Sequence, residues 1–96
     1  YRVGDEVYGT TTGLSQGAYA DYVCVPENWK QGVVARKPDN LSFEEAAALP
    51  VGAMTALHLW KKGGLAASQK VLVYGAGGSV GSAAVQLAKA AGAEVT

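Results

Sequence analysis

The first third of the chain carries short runs rich in β-branched and aromatic residues, bounded by glycine-bearing turns. They are Asp5-Glu6-Val7-Tyr8, Ala18 to Pro26 and Gly32 to Ala35, and this texture predicts β strands. Gly9 to Gly17 is Thr, Gly, Ser and Gln around one Leu, a composition that predicts an exposed loop. The pattern then changes period. Ser42-Phe43-Glu44-Glu45 has the spacing of a capping box, so a helix is expected to start there. Pro50 lacks a donor and clashes with the preceding turn, which predicts a stop, with a second helix restarting near Val51. That helix has Met54, Leu57 and His58 at helical spacing and ends in Lys61-Lys62 before Gly63-Gly64. Val71-Leu72-Val73-Tyr74 reads as a strand covered on both faces. After a run of glycines, Val80, Ala83, Ala84, Leu87, Ala88 and Ala91 recur on one helical face, Gly92 closes the helix, and Glu94-Val95-Thr96 opens a further strand. The order β, glycine-rich turn, α, β is the start of a doubly wound parallel sheet, so the class is α/β.

Composition narrows the function classes. Eight basic and eight acidic residues cancel and are scattered, leaving no electrostatic footprint for nucleic acid or an anionic membrane. Apolar runs are too short to span a bilayer, and no signal peptide opens the chain. The single cysteine, Cys24, excludes an internal disulfide framework and fits a reducing compartment. These features predict a soluble, cytoplasmic protein. At 96 residues, with no initiator Met and a strand just beginning at Thr96, the chain is expected to be a piece of a longer enzyme, without activity on its own.

The segment that points to chemistry is Gly75-Ala76-Gly77-Gly78-Ser79-Val80-Gly81, between the apolar strand and the amphipathic helix. A G-x-G-x-x-G pattern started at Gly75 fails at Val80, and started at Ala76 it fits as A-x-G-x-x-G. A pyrophosphate must approach backbone amides at a helix N-terminus, where side chains would obstruct it. Gly78 suits that approach, Gly75 or Ala76 the tight turn, Gly81 close helix packing, and Ser79 a hydroxyl contact to phosphate. An ordinary βα turn with glycines for steric reasons is the alternative. A nucleoside triphosphate loop is disfavoured, since no Lys-Ser or Lys-Thr closes the motif.

Several segments together resemble one family, the medium-chain dehydrogenases and reductases, in its zinc-free quinone-oxidoreductase-like and enoyl-reductase-like branch. Gly4-Asp5-Glu6-Val7-Tyr8-Gly9 and Gly17-Ala18-Tyr19-Ala20-Asp21-Tyr22-Val23 are similar to two of its strands, and Lys37 to Pro50 to the segment leading into its cofactor domain. Val71 to Thr96 resembles its first βαβ unit. The resemblance implies the end of a GroES-like domain over residues 1–41 and the start of a Rossmann dinucleotide-binding domain over 42–96, both incomplete. Residues Asn28 to Val33 form a stretch longer than the family usually has. Only Thr10 to Gln16 stand where zinc-bearing relatives carry a four-cysteine lobe, and Val51 stands where they place a zinc ligand but offers no donor atom. No metal is therefore expected. The resemblance further implies that Thr55 lies near the nicotinamide; a hydroxyl bonded to its own helix backbone is the alternative.

The activity so implied is hydride transfer from NADPH, with NADH left open, to a quinone or an α,β-unsaturated carbonyl. A non-catalytic dinucleotide-binding relative and a zinc-independent alcohol dehydrogenase-like protein are the alternatives. The partner expected is a small-molecule substrate, with a homodimer left open, and no catalytic residue is assigned. Cofactor contacts are expected from Thr55, Gly75, Ala76, Gly77, Gly78, Ser79, Val80 and Gly81. His58, without a carboxylate nearby in sequence, reads as packed or half-exposed, and Cys24 as a packing residue. Glu44 and Glu45 belong to the helix start, and Asp5, Glu6 and Asp21 are expected to face solvent. Tyr8, Tyr19, Tyr22 and Trp29 suit strand packing, and Trp60 the core.

Overall fold

The computed structural model describes residues 1–11, 17–27 and 33–96. Residues 12–16 of the expected Gly9 to Gly17 loop, Trp29 and nearly all of the Asn28 to Val33 stretch fall outside them, while Gly9 and Thr10 of that expected loop belong to a strand, since they pair with the chain at Val33 and Val34. The chain divides into two compact units, Tyr1–Pro50 and Val51–Thr96.

In the first unit, β1 (Val7–Thr10) pairs antiparallel with β2 (Val33–Arg36), in the register Val7 opposite Arg36 and Tyr8 opposite Ala35. Both strands were expected within two or three residues of where they form. The pair is clasped at one end by charge. The guanidinium of Arg36 donates from Nη1 and Nη2 to the two carboxylate oxygens of Asp5, each at 2.8 Å, and the Arg2 amide adds a third bond at 2.8 Å. Asp5 is thus a partly buried clasp residue, where sequence placed it in solvent. The Arg2 amide and then Arg36 hold its carboxyl below the usual range. A carboxyl depressed in the folded state stabilises fully above its unfolded pKa, near 3.9, and loses that contribution as pH falls through the folded value. Asp5→Asn should therefore weaken amide-exchange protection of β1 and β2 at neutral pH and flatten its acid dependence below about pH 4.

Lys37, following β2, turns its ammonium inward; its side chain is 6 % exposed. It donates to the Leu41 carbonyl at 2.7 Å and the Pro38 carbonyl at 3.2 Å, pairs with Glu6 at 3.0 Å, and lies 5.2 Å from the Phe43 ring centre.

Ala18 to Pro26 forms no strand. It pairs with no neighbour among the described residues, and a strand exists only through its ladder. Tyr19 and Tyr22 stand in solvent, and Cys24 is exposed instead of packed.

Helix α1 (Phe43–Lys62) starts as expected: the Ser42 hydroxyl accepts the Glu45 amide at 3.1 Å and Glu45 accepts the Ser42 amide at 2.8 Å. It does not stop at Pro50. The proline costs the Ala46 carbonyl its usual amide partner, but the turns on both sides still close, and one helix spans Phe43 to Lys62. Its end is built as Lys61-Lys62-Gly63-Gly64 suggested, with the Leu65 amide returning to the Trp60 carbonyl and Gly64 to Lys61. Met54, Leu57 and His58 lie exposed on it, and Trp60 is half-buried.

In the second unit, β3 (Lys70–Val71) and β4 (Glu94–Val95) pair in parallel, joined by α2 (Ser79–Ala90). The backbone ladder continues past β3, the Val73 amide donating to the Thr96 carbonyl at 2.8 Å. Gly92, at φ +80°, ends α2, with the amides of Gly92 and Ala93 returning to Lys89 and Ala88. This is the parallel α/β unit expected, but its first strand is Lys70–Val71 rather than Val71 to Tyr74, and the run from Val71 to Tyr74 is not covered on both faces. Val71 and Val73 are half-buried, while Leu72 and Tyr74 are 77 % and 99 % exposed. Across the described residues the buried hydrophobic side chains are Ala46, Ala56 and Ala88, with nothing larger fully enclosed.

Candidate functional site

The second unit brings together the end of β3, the glycine loop, the first turn of α2 and a stretch of α1. Beyond β3 the chain turns at Gly75, which at φ +85° adopts a conformation that costs a side-chain-bearing residue. The tight turn is therefore made by Gly75, not Ala76, and the Gly78 amide closes it on the Gly75 carbonyl at 3.1 Å.

The glycines of the loop differ in what surrounds them. A Cβ on Gly77 would meet nothing within 4 Å, and one on Gly78 only the Gly75 carbonyl oxygen at 3.6 Å. Their open side is where a ligand could reach the backbone. A Cβ on Gly81 would drive into the Gly75 carbonyl and come within 2.8 Å of the Ala76 α-carbon. The first turn of α2 thus rests directly on the backbone of Gly75 and Ala76.

The two helix N-termini are finished in opposite ways. That of α1 is closed by its capping box and carries Glu44 and Glu45, and Glu44 titrates below the usual range because its own amide and the Ser42 hydroxyl stabilise the charged form. That of α2 has Gly78 at the cap, no side-chain cap bond and no acidic residue in the first turn. Its leading amides, which have no acceptor within the helix, and the positive end of its dipole are left to an outside anion.

Thr55 is exposed on α1, and its hydroxyl donates to the Val51 carbonyl at 2.6 Å. This is the local backbone bond foreseen as its alternative role, and it leaves the oxygen lone pairs as acceptors. One helical turn before it, buried Gly52 meets the start of α2, a contact that sequence reading missed. A Cβ there would collide with the Ser79 hydroxyl and lie 2.8 Å from the Ser79 carbonyl oxygen. The detectable signal was a glycine inside an otherwise good helix, which costs about 1 kcal/mol and so asks for a packing reason.

Beside the loop lies an apolar cleft of about 590 Å³, with Val51, Leu59 and Trp60 of α1, Tyr74, and Val80 and Ala84 of α2 among its walls. Among the described residues no three His, Cys, Asp or Glu side chains gather as a metal site would need, and no helix is long and apolar enough to cross a membrane.

No family model matches the chain. Individual proteins do. It is 46 % identical over 92 residues to a 2-methylene-furan-3-one reductase of Solanum lycopersicum, covering 90 % of this chain and 23 % of that one. It is 38 % identical over 101 aligned positions to the mitochondrial NAD(P)H oxidoreductase RTN4IP1 of Danio rerio, covering all of this chain and 25 % of the relative. Among solved structures, the JamJ enoyl reductase superposes with a TM-score of 0.58 at 36 % identity, covering 68 % of this chain and 22 % of the other. The quinone oxidoreductase of Thermus thermophilus, described also in complex with NADPH, gives 0.57 at 42 % identity, with 68 % and 24 % covered. The chain spans a quarter or less of the length of these proteins. With the glycine loop on a parallel βαβ unit after an antiparallel pair, these likenesses place it: the chain belongs to the medium-chain dehydrogenase/reductase superfamily, in its quinone-oxidoreductase-like and enoyl-reductase-like branch.

Proposed function

We propose that the full-length protein carrying this chain is an NAD(P)H-dependent oxidoreductase that passes hydride, without zinc, to a quinone or an α,β-unsaturated carbonyl. The observation that carries the proposal is the uncapped, acid-free N-terminus of α2 behind the open glycines Gly77 and Gly78. The amides of Ser79, Val80 and Gly81 would donate to the pyrophosphate. Gly75 and Ala76 shape the approach, and Gly77 and Gly78 keep it free of side chains.

When bound, the nicotinamide supplies the hydride. Thr55 would offer its hydroxyl oxygen to the carboxamide, its own proton being held by Val51. The Ser79 hydroxyl faces Gly52, so the backbone amide is that residue's contribution. Val51 brings no metal donor to the cleft it lines. In this assignment residues 1–41 end the GroES-like domain and 42–96 begin the dinucleotide-binding one. NADPH is the cofactor favoured by the branch, a small enone or quinone the partner, and the exposed free thiol of Cys24 suits a reducing compartment such as the cytoplasm.

Gly78→Val tests the loop cleanly. Gly78 sits at φ −82° and ψ 166°, extended backbone that valine adopts readily, and its side-chain position is open. The variant should fold as the parent does while NADPH affinity in the full-length protein falls at least about tenfold, or about 1.4 kcal/mol. Unchanged affinity by fluorescence titration would remove the loop from the cofactor site. Turnover of a simple quinone with NADPH distinguishes an enzyme from a relative that only binds the dinucleotide.

A further inference from the structure

The contact between Gly52 and Ser79 carries more than packing. Three facts fix one side of it. The Gly78 amide is bonded to the Gly75 carbonyl, the Gly81 backbone lies on Gly75 and Ala76, and the Ser82 amide is bonded to the Gly78 carbonyl at 2.8 Å. Ser79, between these anchors, is therefore pinned to the phosphate loop. On the other side, α1 reaches Ser79 at backbone distance only because residue 52 has no side chain. Thr55 follows three residues later on the same helix, about 60° round and about 4.5 Å along from Gly52. The spot where α1 touches α2 thus sets how far Thr55 stands from the loop amides.

We infer that Gly52 is a positioning residue for the dinucleotide: it fixes the separation between the phosphate-binding amides of α2 and the Thr55 hydroxyl, and so the span available between pyrophosphate and nicotinamide. The inference rests on the cofactor reading above. An added methyl at residue 52 has two ways to be relieved. The loop is tied by its turn and by Gly81, so the relief falls on α1, which moves away and takes Thr55 with it. The pyrophosphate end of the site stays intact and the nicotinamide end is mismatched.

The test compares two ligands on the full-length protein: NADPH, and 2′-phospho-ADP-ribose, which is NADPH without its nicotinamide. Gly52→Ala should weaken NADPH about tenfold and 2′-phospho-ADP-ribose less than about twofold. Gly52→Ala/Ser79→Gly, in which the colliding hydroxymethyl is gone, should regain at least about a third of the lost NADPH affinity on a logarithmic scale. If the single variant does not fold, the double variant carries the same two-ligand comparison against the parent, with NADPH again the more weakened. A general loosening of the unit would weaken both ligands equally, and that result, or no change for either, overturns the inference. Failure of the unmutated protein to bind either 2′-phospho-ADP-ribose or ADP-ribose, its counterpart without the 2′-phosphate, overturns the phosphate-loop reading and this inference together.

Discussion

Gly81→Val is expected to destabilise the second unit by about 3 kcal/mol, the upper range for forcing extra atoms into a packed site. The first added carbon would enter the space of the Gly75 carbonyl and approach the Ala76 α-carbon to 2.8 Å. These are backbone atoms, which cannot rotate aside as a side chain would. Relief requires α2 to lift from Gly75 and Ala76, breaking the turn that the Gly78 amide closes. Amide exchange is the fitting measurement, because it reports each element separately. Protection should fall along α2 and at Val73 and Thr96, while β1 and β2 keep theirs. Full protection along α2 would show that the helix does not rest on Gly75.

Lys37→Met should cost the first unit about 2 kcal/mol. Methionine keeps most of the apolar stem but removes the cation on which the Leu41 and Pro38 carbonyls and the Glu6 carboxylate converge. Bonds to a charged donor contribute about 1.5–3 kcal/mol each when enclosed, and Glu6, largely in solvent, adds little. The ring of Phe43 also loses its cation. Here exchange should quicken in β1 and β2 and stay as it was in α2, the reverse of Gly81→Val.

The features legible in sequence are those decided within a few residues. The capping box at Ser42 and Glu45, the glycine ends of both helices and the βαβ order need only local geometry, and each forms as its spacing implies. The glycine loop was equally legible as a motif, although only the structure separates the open Gly77 and Gly78 from the packed Gly81. What misled depends on distant neighbours. Ala18 to Pro26 has strand composition but no ladder partner among the described residues, and composition cannot supply one. Val71 to Tyr74 has the texture of a strand with two covered faces, yet cover is a property of the surroundings. Pro50 carries a real local penalty that the rest of α1 outweighs. Asp5 looked like a solvent-facing acid because its partner, Arg36, lies on another strand.

The enclosed methyl groups of Ala46, Ala56 and Ala88 bear on how this chain should melt. Alanine burial hides little hydrocarbon from water, and hydrocarbon exposure is what gives unfolding its heat-capacity increment and its sensitivity to urea. With larger apolar side chains such as Trp60, Val71, Val73 and Leu87 only half-buried among the described residues, this chain should unfold with a shallow denaturant slope and a flattened stability curve for its length. Its endurance should vary little between cold and warm and respond more to salt and acid than to temperature.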